Sequence, residues 1–366
     1  MIDNRLYELI KNKDTILNDV DFIIIANTTN KNYNKSNIKP ALDDELFSRQ
    51  EFAEIASAIY DSFGFVQVFY NEIDFIEFII NKQKIRKNLF VFNYARNGTK
   101  SGKKSLIPAF CDLFNIRYSG SDAFTISLIR NKYIVAQYLK YHNLPVPNTW
   151  QCQYNNFFSD FNEKNLHKKY ILKTIDESAS IGMNDQNIFL PKTMYELMQN
   201  VHKIEQSMQN SNLLIQEFID GQEIEILVLQ YKNEYIACEP IELHINGNNI
   251  LTSEISLSYD YSFSKFQSLN YDDITNKIKS ICVEMAKLLN IKDYARFDFR
   301  VKDNNDIFLI DIAGTPYCIK HSSIAYLFKE IYKLEYKDIF KLIASLSWTN
   351  YQFNEVNCRA DRGNPL

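Results

Sequence analysis

The sequence predicts a mixed protein, α/β in its N-terminal part and α+β in the remainder. Two observations support this prediction. Apolar strand-like runs alternate with helix-like segments over residues 1–115, a pattern typical of a parallel sheet with crossover helices. From Tyr170 onward the strand-like segments are less regular, which indicates antiparallel pairing.

The N-terminal part begins with a buried strand and continues as a βαβαβ series. The predicted strand at 21–26 is continuously apolar after Asp21, which is typical of a central strand of a parallel sheet. The next segment, residues 27–40, is a polar loop rich in Asn. The apolar periodicity then predicts helices and strands in alternation, with helices at 43–63 and 73–81 and strands at 65–70 and 89–93.

The middle of the chain is predicted to join this lobe to the antiparallel part. Residues 98–114 read as a polar loop that runs into a helix, and residues 117–120 as a short strand and turn. A single helix is predicted over 122–141, followed by an extended linker that Pro145 and Pro147 keep out of helix. Further helices are predicted at 270–289, 323–334 and 336–345. The segment 347–366 has no clear period, and we expect it to be a peripheral tail.

One stretch, residues 294–312, is predicted to be a β-hairpin with facing carboxylates. Residues at alternate positions share one face of a strand, so one face should be apolar, with Phe297, Phe299, Val301, Phe308, Ile310 and Ile312. Asp298 and Asp311 then face each other on the opposite side, with Arg296 nearby. Facing carboxylates repel unless a cation lies between them, and hard oxygen ligands beside phosphate suggest Mg²⁺. A surface hairpin with solvated charges is the alternative.

Composition excludes several function classes. The 366 residues carry a net charge of −4 and a pI of about 5.8, so there is no electrostatic footprint for nucleic acid or an anionic membrane. The six cysteines are scattered without a CxxC pair, which argues against a zinc site and favours reduced thiols. No apolar run approaches the length of a membrane span. We therefore expect a cytoplasmic protein without nucleic-acid or membrane partners.

Two segments could bind a nucleotide. Lys173 ends a strand and precedes a loop of small residues that includes Ser178 and Ser180, an arrangement that suits a triphosphate. A hairpin turn with a surface lysine is the alternative. The second segment, residues 214–223, is an apolar strand that leads to an acidic turn with Gly221. Its backbone could hydrogen-bond an adenine, and a carboxylate could hold ribose hydroxyls. A plain hairpin fits the same pattern.

Two further residues have both a functional and a structural interpretation. Lys132 lies on a predicted helix, where most lysines are simply solvated. Ser322 and Ser323 lie at the start of another predicted helix, and one of the two is an N-cap by default. A helix N-terminus also suits a carboxylate ligand, so Ser322 is a candidate for substrate binding as well.

In their order and spacing these segments resemble the ATP-grasp superfamily, most closely its D-alanine–D-alanine ligase branch. The resemblance runs from about residue 93 to residue 345. It is best in GTKSGKKSLIPAFCDLFNIRYSGSDAFTISLIRNKYIVAQYLKYHNLPVP, KYILKTIDESASIGM, LLIQEFIDGQEIEI and the hairpin with its HSS loop. It implies an ATP-grasp fold with three lobes and a tail: an N-terminal parallel α/β lobe at 1–115, a small central α+β lobe at 116–210, a C-terminal α+β lobe at 211–346, and the tail at 347–366.

The resemblance also implies a function. ATP-grasp ligases phosphorylate a carboxylate to an acyl phosphate, which an amine attacks to give an amide. By resemblance Lys132 and Lys173 contact ATP phosphates, residues 178–182 form a flap, Gln216 to Ile219 frame the adenine, and Glu223 holds the ribose. Asp298 and Asp311 hold Mg²⁺, Arg296 stabilises the developing negative charge, and Ser322 binds the carboxylate of an amino-acid acceptor. Small-molecule carboxylate and amine substrates, and a homodimer, are further expectations.

The sequence departs from the family pattern at the substrate positions. Ala313 stands where the metal strand normally has a ligating Asn, and Tyr317 follows Pro316 where the family usually has Gly. The flap's middle serine is Ala179. The Gly-rich loop with His and Glu that binds the first amine is missing, although Glu45 lies in about that region. We therefore expect an amino-acid or small-peptide substrate other than D-alanyl-D-alanine. The alternative is a non-catalytic relative that binds nucleotide or a protein partner.

Overall fold

A computed structural model describes residues 2–29, 45–81, 88–97, 102–153, 156–157, 161–176, 183–207, 212–247, 250–268 and 271–361. The strands in these ranges are β1 Asp21–Ala26, β2 Thr28–Thr29, β3 Phe47–Ser48, β4 Gln67–Phe69, β5 Leu89–Tyr94, β6 Arg117–Tyr118, β7 Thr149–Gln153, β8 Asn156–Phe157, β9 Tyr170–Thr174, β10 Ile188–Phe189, β11 Leu213–Glu217, β12 Gln222–Tyr231, β13 Glu234–Ala237, β14 Ile241–Ile245, β15 Tyr261–Lys265, β16 Tyr294–Val301 and β17 Ile307–Ala313.

The α-helices in the same ranges vary from one turn to more than six. They are α1 Asn4–Lys11, α2 Lys13–Ile16, α3 Arg49–Phe63, α4 Glu72–Asn81, α5 Leu106–Leu113, α6 Ala123–Arg130, α7 Lys132–Tyr141, α8 Met194–Ser207, α9 Ser253–Ser258, α10 Tyr271–Leu288, α11 Ser323–Tyr326 and α12 Asp338–Asp361. A π-helical turn, Leu327–Ile331, continues α11. None of the described helices is long and apolar enough to cross a membrane.

Three larger sheets organise the described part of the chain, and β2 and β3 pair separately as a two-stranded parallel sheet. The N-terminal sheet has the order β4-β1-β5-β6, and its strands are parallel, as the βαβαβ pattern predicts. The second sheet has the order β10-β9-β11-β7-β8, and the third has the order β15-β14-β12-β16-β17 with β13 also on β12. Both of these sheets are antiparallel. The predicted mixture of α/β and α+β architecture is therefore confirmed.

The predicted hairpin consists of β16 and β17, and Asp298 lies directly opposite Asp311. A β-bulge next to this pair makes Leu309, rather than Ile310, the partner of Phe299. The predicted apolar face of the second arm is therefore partly wrong. Ile307, Leu309 and Ile312 are in the core, whereas Ile310 is turned to the cavity described below. The bulge inserts one residue, and side-chain alternation changes phase there.

The helix predicted over 122–141 is two helices, α6 and α7. They are separated at Asn131, which has non-helical backbone angles and whose side chain accepts the Ile134 N–H at 3.0 Å. The Lys132 N–H donates instead to the Ile175 carbonyl at 3.2 Å. The break thus gives Lys132 a fixed place at the start of α7, because an Asn N-cap satisfies an otherwise unpaired amide.

The C-terminal segment is not a peripheral tail within the described residues. Helix α12 continues through it, and Ser347, Trp348 and Asn350 are buried. The helix packs on α1, α2 and α3 of the N-terminal lobe and on β12. Our expectation failed because this helix is buried on several sides, so that no single apolar stripe marks it in the sequence.

Four hydrophobic cores lie behind the sheets. One joins the N-terminal lobe to α12, β12 and the region around Ile324, and a second lies under the β12–β16–β17 part of the third sheet. A third core lies on the other face of the N-terminal sheet. The fourth belongs to the second sheet and α8 alone. Each core contains at least one buried free cysteine, and the set is Cys238 and Cys318, Cys282, Cys111 and Cys152.

Candidate functional site

A cavity of about 590 Å³ lies between the three sheets. Eleven of the thirteen predicted site residues line it, although they are far apart in sequence: Lys132, Lys173, Gln216, Glu217, Phe218, Ile219, Glu223, Arg296, Asp298, Asp311 and Ser322. Ser178 and Ser180 lie outside the described residues. The cavity is therefore the place where the predicted chemistry would occur, and its side chains can be described one group at a time.

The acidic pair lies on the hairpin at one wall of the cavity. Asp298 accepts two hydrogen bonds from Arg296, at 2.7 Å to Oδ1 and 2.8 Å to Oδ2. Arg296 also lies 3.2 Å from the Glu225 carboxylate, on the adjacent strand β12. Burial raises the pKa of Asp298 to about 7; Arg296 opposes this rise, and Glu225 and Asp311 add to it. Asp298 and Glu225 thus share one guanidinium, and Asp311 lies directly opposite Asp298. An added cation would therefore be stabilised here.

The residues present fit Mg²⁺ brought in with a nucleotide. No group of three or more His, Cys, Asp or Glu side chains is arranged to hold a metal within the ranges that the structure covers. Mg²⁺ is commonly bound through one or two carboxylates together with phosphate oxygens and water. Asp298 and Asp311 can provide those two carboxylates. Ala313, opposite Arg296, provides none.

Two lysines face the acidic pair. The Lys173 ammonium lies 3.2 Å from Gln216 Oε1 and 3.5 Å from the carbonyl oxygen of Ile310. Burial lowers its pKa to about 8, while Asp311 acts in the opposite direction. The Lys132 ammonium lies 3.8 Å from Asp311 Oδ1. Carboxylates and ammonium groups on the same cavity can bind a phosphate–metal complex, because the ammonium groups pair with phosphate oxygens and the carboxylates with the metal.

The segment predicted to contact adenine has several of its polar groups already paired. Gln216 donates to Thr149 Oγ1 at 3.0 Å. The backbone N–H groups of Glu217 and Phe218 donate to the carbonyls of Asn148 and Lys169. These bonds fix the segment at the cavity edge. A contact with adenine stays a prediction.

Glu223 and Ser322 are also engaged with protein partners. The Glu223 carboxylate is 2.6 Å from Arg300, so its predicted role on ribose requires it to share that partner. Ser322 Oγ donates to the Ile319 carbonyl at 2.7 Å and accepts the Ala325 N–H at 3.2 Å. Ser322 is thus the N-cap of α11, as its structural interpretation predicts, and a carboxylate-binding role stays a prediction.

Sequence reasoning missed a group of buried cations around Glu45, which we call the basic cluster: Arg96, Lys103, Lys104 and Arg130. Glu45 is fully buried and lies 2.6 Å from Lys103, 3.1 Å from Arg130 and 4.0 Å from Arg96, and it also pairs with Lys104. Burial alone would raise the pKa of Glu45, but the four cations hold it well below its usual range. Arg96, Lys104 and Arg130 line the cavity. The only sequence signals were the adjacent lysines and the closeness of Arg130 to Lys132.

Of two other cavity residues, Tyr317 was noted in the sequence and Glu225 was not. Tyr317, noted as a departure from the family, projects into the cavity, with its ring 3.9 Å from the Arg96 guanidinium and its hydroxyl donating to the Glu45 carbonyl at 2.5 Å. Glu225 was overlooked. It could have been found, because it alternates with Glu223 on a strand and therefore shares its face.

Comparison with known protein families gives one match that covers much of the chain. The family described as D-ala D-ala ligase C-terminus matches residues 140–345. Among curated proteins, a D-alanine–D-alanine ligase of Aquifex aeolicus is 22% identical over 218 residues, which are 59% of this chain and 68% of that protein. One from Thermosipho melanesiensis is 25% identical over 243 residues, 66% of this chain and 63% of its own length.

Solved structures similar to this one are also ligases by name. A D-alanine–D-alanine ligase from Bacillus anthracis, complexed with ATP, superposes with a TM-score of 0.64 at 14% identity and covers 94% of this chain and 100% of its own. The corresponding enzyme from Coxiella burnetii gives 0.62 at 13% identity, over 94% of this chain and 99% of its own. At this level of identity the likeness establishes the fold.

Proposed function

Since the chain belongs to the D-alanine–D-alanine ligase family, which matches residues 140–345 of its 366, we propose that it is an ATP-dependent carboxylate–amine ligase with a substrate of its own. The family and the fold predicted from the motifs are confirmed, as is the enzyme class of ADP-forming ATP-grasp ligases. That family uses ATP with a divalent metal. The proposal extends to the reaction, the substrates and the roles of individual residues in this chain.

One observation supports the proposal above the others. Lys132, Lys173, Asp298 and Asp311 come from three separate stretches of sequence and line the same cavity. Phosphoryl transfer requires mainly positioning and neutralisation of charge. Two ammonium groups beside two facing carboxylates meet both requirements for a nucleotide triphosphate with its metal.

In the proposed reaction, Lys132 and Lys173 would hold the phosphates of ATP, and Asp298 and Asp311 would hold Mg²⁺. When bound there, Mg²⁺ would supply positive charge that neutralises the phosphate oxygens. Arg296 keeps its bidentate pair with Asp298 and offers its remaining N–H groups to the oxygen that becomes negative. The amine then attacks the acyl phosphate, the C–N bond forms, and phosphate leaves.

The substrates are proposed to be a small carboxylate and an amine, namely an amino acid or small peptide other than D-alanyl-D-alanine. Tyr317 supports this choice, because its ring occupies space beside Arg96. Ser322 is proposed to bind the acceptor carboxylate, and Gln216 to Ile219 and Glu223 the nucleoside. A homodimer and a cytoplasmic location are further proposals, and light scattering tests the former.

A thermal-shift titration tests the nucleotide site. A ligand at 100 times its dissociation constant stabilises the folded state by about 2.7 kcal/mol. We expect Mg·ATP to raise the melting temperature, and Asp311→Asn to abolish the part that depends on Mg²⁺. Asp303→Asn, an exposed acid in the turn of the same hairpin, is the matched control and should behave as wild type.

Turnover is then tested with pairs of carboxylates and amines, with ADP release as the readout. Release that requires both substrates supports the ligase. Absence of any shift at millimolar Mg·ATP would contradict the proposal and favour the non-catalytic relative, for which the missing ligand at Ala313 would be the reason.

A further inference from the structure

Two cations of the basic cluster, Arg96 and Lys104, line the cavity and have one buried carboxylate between them. That carboxylate, Glu45, is the charged partner described for both, and Lys103 and Arg130 contact it as well. A buried charge is costly unless it is well paired. A cluster of this kind beside a cavity is therefore expected to serve a ligand of opposite charge.

Arg96 is oriented by its neighbours rather than neutralised by them. Its side chain is 1% exposed, and its guanidinium lies 4.6 Å from the Phe47 ring centre and 3.9 Å from that of Tyr317. One terminal nitrogen donates to the Thr315 carbonyl at 3.1 Å. The other is 4.0 Å from Glu45, beyond hydrogen-bond length. The buried Nε has no hydrogen-bond partner among the described residues.

Lys104 is a second buried cation that has Glu45 as its charged partner. Its side chain is buried and lines the cavity, and its partner in the structure is the Glu45 carboxylate. Its backbone lies in the left-handed region, with φ of 73°, which is unusual for a residue other than Gly. Burial lowers the pKa of its ammonium well below the usual value, while Glu45 raises it. A ligand anion beside this ammonium would favour its charged form.

We propose that Arg96 and Lys104 form an anion subsite of the cavity, which binds a second anionic group of the substrate. This inference rests on the proposed ligase function and deepens it. The substrate is then a small acid with two anionic groups, one that is activated and one, a carboxylate or a phosphate, that is held by the subsite. A planar guanidinium with an adjacent ammonium suits either oxyanion, since both accept several N–H donors at once.

Calorimetric titration with glutarate tests the subsite directly. Glutarate has two carboxylates, and pentanoate, of equal length with one carboxylate, is the matched probe. We expect glutarate to bind more tightly than pentanoate, and glycerol phosphate to report whether phosphate is preferred to carboxylate. Binding should persist in protein saturated with Mg·ADP, because the subsite is distinct from the phosphate-binding lysines.

Four variants make the test specific. Lys104→Met and Arg96→Met should each weaken glutarate binding by about tenfold or more, the expected effect of losing a charged hydrogen bond. Lys329→Met, at a lysine whose side chain is 79% exposed, should leave it unchanged. Glu45→Gln removes the competing carboxylate and should tighten binding, an effect that simple damage to the fold would not produce.

The inference is overturned if glutarate binds no better than pentanoate, if Lys104→Met and Arg96→Met bind it like wild type, or if Mg·ADP displaces it. These outcomes leave the proposed function standing as long as Mg·ATP still raises the melting temperature. Loss of the Mg·ATP effect in wild type would instead contradict the proposed function, whatever glutarate does.

Discussion

Lys173 is half-buried at the cavity wall beside Gln216 and the Ile310 carbonyl, with its pKa lowered to about 8. At neutral pH the side chain is still mostly an ammonium ion, so burial keeps a charge that has few competing water molecules. Such a charge interacts strongly with phosphate. Its position at a strand end could be read from the sequence, whereas its burial depends on the facing sheet and could not.

We predict that Lys173→Met weakens Mg·ATP binding at least about tenfold, because a charge-assisted contact contributes roughly 1.5–3 kcal/mol. The melting temperature without ligand should be unchanged or higher, since a buried charge is removed. Calorimetric titration with Mg·ATP measures the first effect. Lys203→Met, at an exposed lysine of the same lobe, is the control. Equal affinities in the two variants would remove Lys173 from the nucleotide site.

Asp293 is a buried acid outside the cavity. Its carboxylate accepts hydrogen bonds from the Gly120 N–H at 2.9 Å, Ser347 at 2.6 Å and Asn350 at 3.0 Å. Burial nevertheless raises its pKa to about 6, against the effect of these three donors. The protonated form is thus the one that folding favours.

This shift sets the sign of a pH effect. A carboxyl whose pKa rises on folding takes up protons in the folded state, so its contribution is complete at about pH 4 and is lost as pH rises through about 6. We predict that the difference in free energy of unfolding between wild type and Asp293→Asn changes against wild type as the pH rises from about 4 to about 6. The expected change is about 2–3 kcal/mol, because the pKa of Asp293 is shifted by about two pH units. Urea unfolding at several pH values measures it. A difference that does not vary with pH would contradict the prediction.

At the scale of elements, the turn between β11 and β12 depends on one glycine. Gly221 has φ of 155°, and a Cβ placed there would lie 2.3 Å from the Val301 carbonyl oxygen and 2.7 Å from its carbon. Both are backbone atoms of β16, which cannot move aside without disturbing the sheet. The turn therefore holds the predicted adenine segment against the strand of the metal site.

Gly221→Ala should destabilise the protein by about 3 kcal/mol or more, since both backbone strain and a steric clash are introduced. Gly247→Ala is the matched control. Gly247 also has positive φ, 74°, but its added Cβ would meet nothing within 4 Å, so about 1 kcal/mol is expected. Urea unfolding measures the loss of unfolding free energy in each variant. Equal losses in the two would contradict the prediction, because they would mean that the close contact with Val301 adds no destabilisation.

The elements also show what a sequence can and cannot predict. Asp298 opposite Asp311 follows from strand alternation alone, because the side-chain period is fixed. The bulge that turns Ile310 to the cavity depends on local backbone geometry that the pattern does not encode. The break at Asn131 was similarly hidden, since an Asn within an apolar periodicity reads as an ordinary surface position. Glu45 and its cations meet only in the folded chain, so no local pattern could join them.

At the scale of the whole molecule, α12 packs on α1, α2 and α3 and on β12, and it shares one core with strands of the N-terminal and third sheets. Trp348 is 4% exposed on this helix, and its ring lies 3.9 Å from the Arg117 guanidinium. The segment predicted to be a tail is thus part of the joint between lobes.

Trp348→Ala should lower the free energy of unfolding by about 3–5 kcal/mol, the usual cost of removing a buried aromatic side chain. Val356→Ala on the same helix, where Val356 is 66% exposed, should cost less than about 0.5 kcal/mol. Urea unfolding measures both variants. Similar losses in the two would mean that burial does not determine the contribution of this helix.

The five described cysteines are all buried, so their thiols can report local opening of the cores. An alkylating reagent reacts with an exposed thiolate, so each buried thiol is labelled only when its own core opens. Cys152 lies in the core of the second sheet and α8, Cys282 in the core under the third sheet, and Cys111 in the core on one face of the N-terminal sheet. Timed alkylation followed by peptide mass spectrometry would therefore give the rate at which each core opens, measured as the labelling rate of its own cysteine. A comparison of these labelling rates with and without nucleotide would identify the cores that nucleotide binding protects from opening.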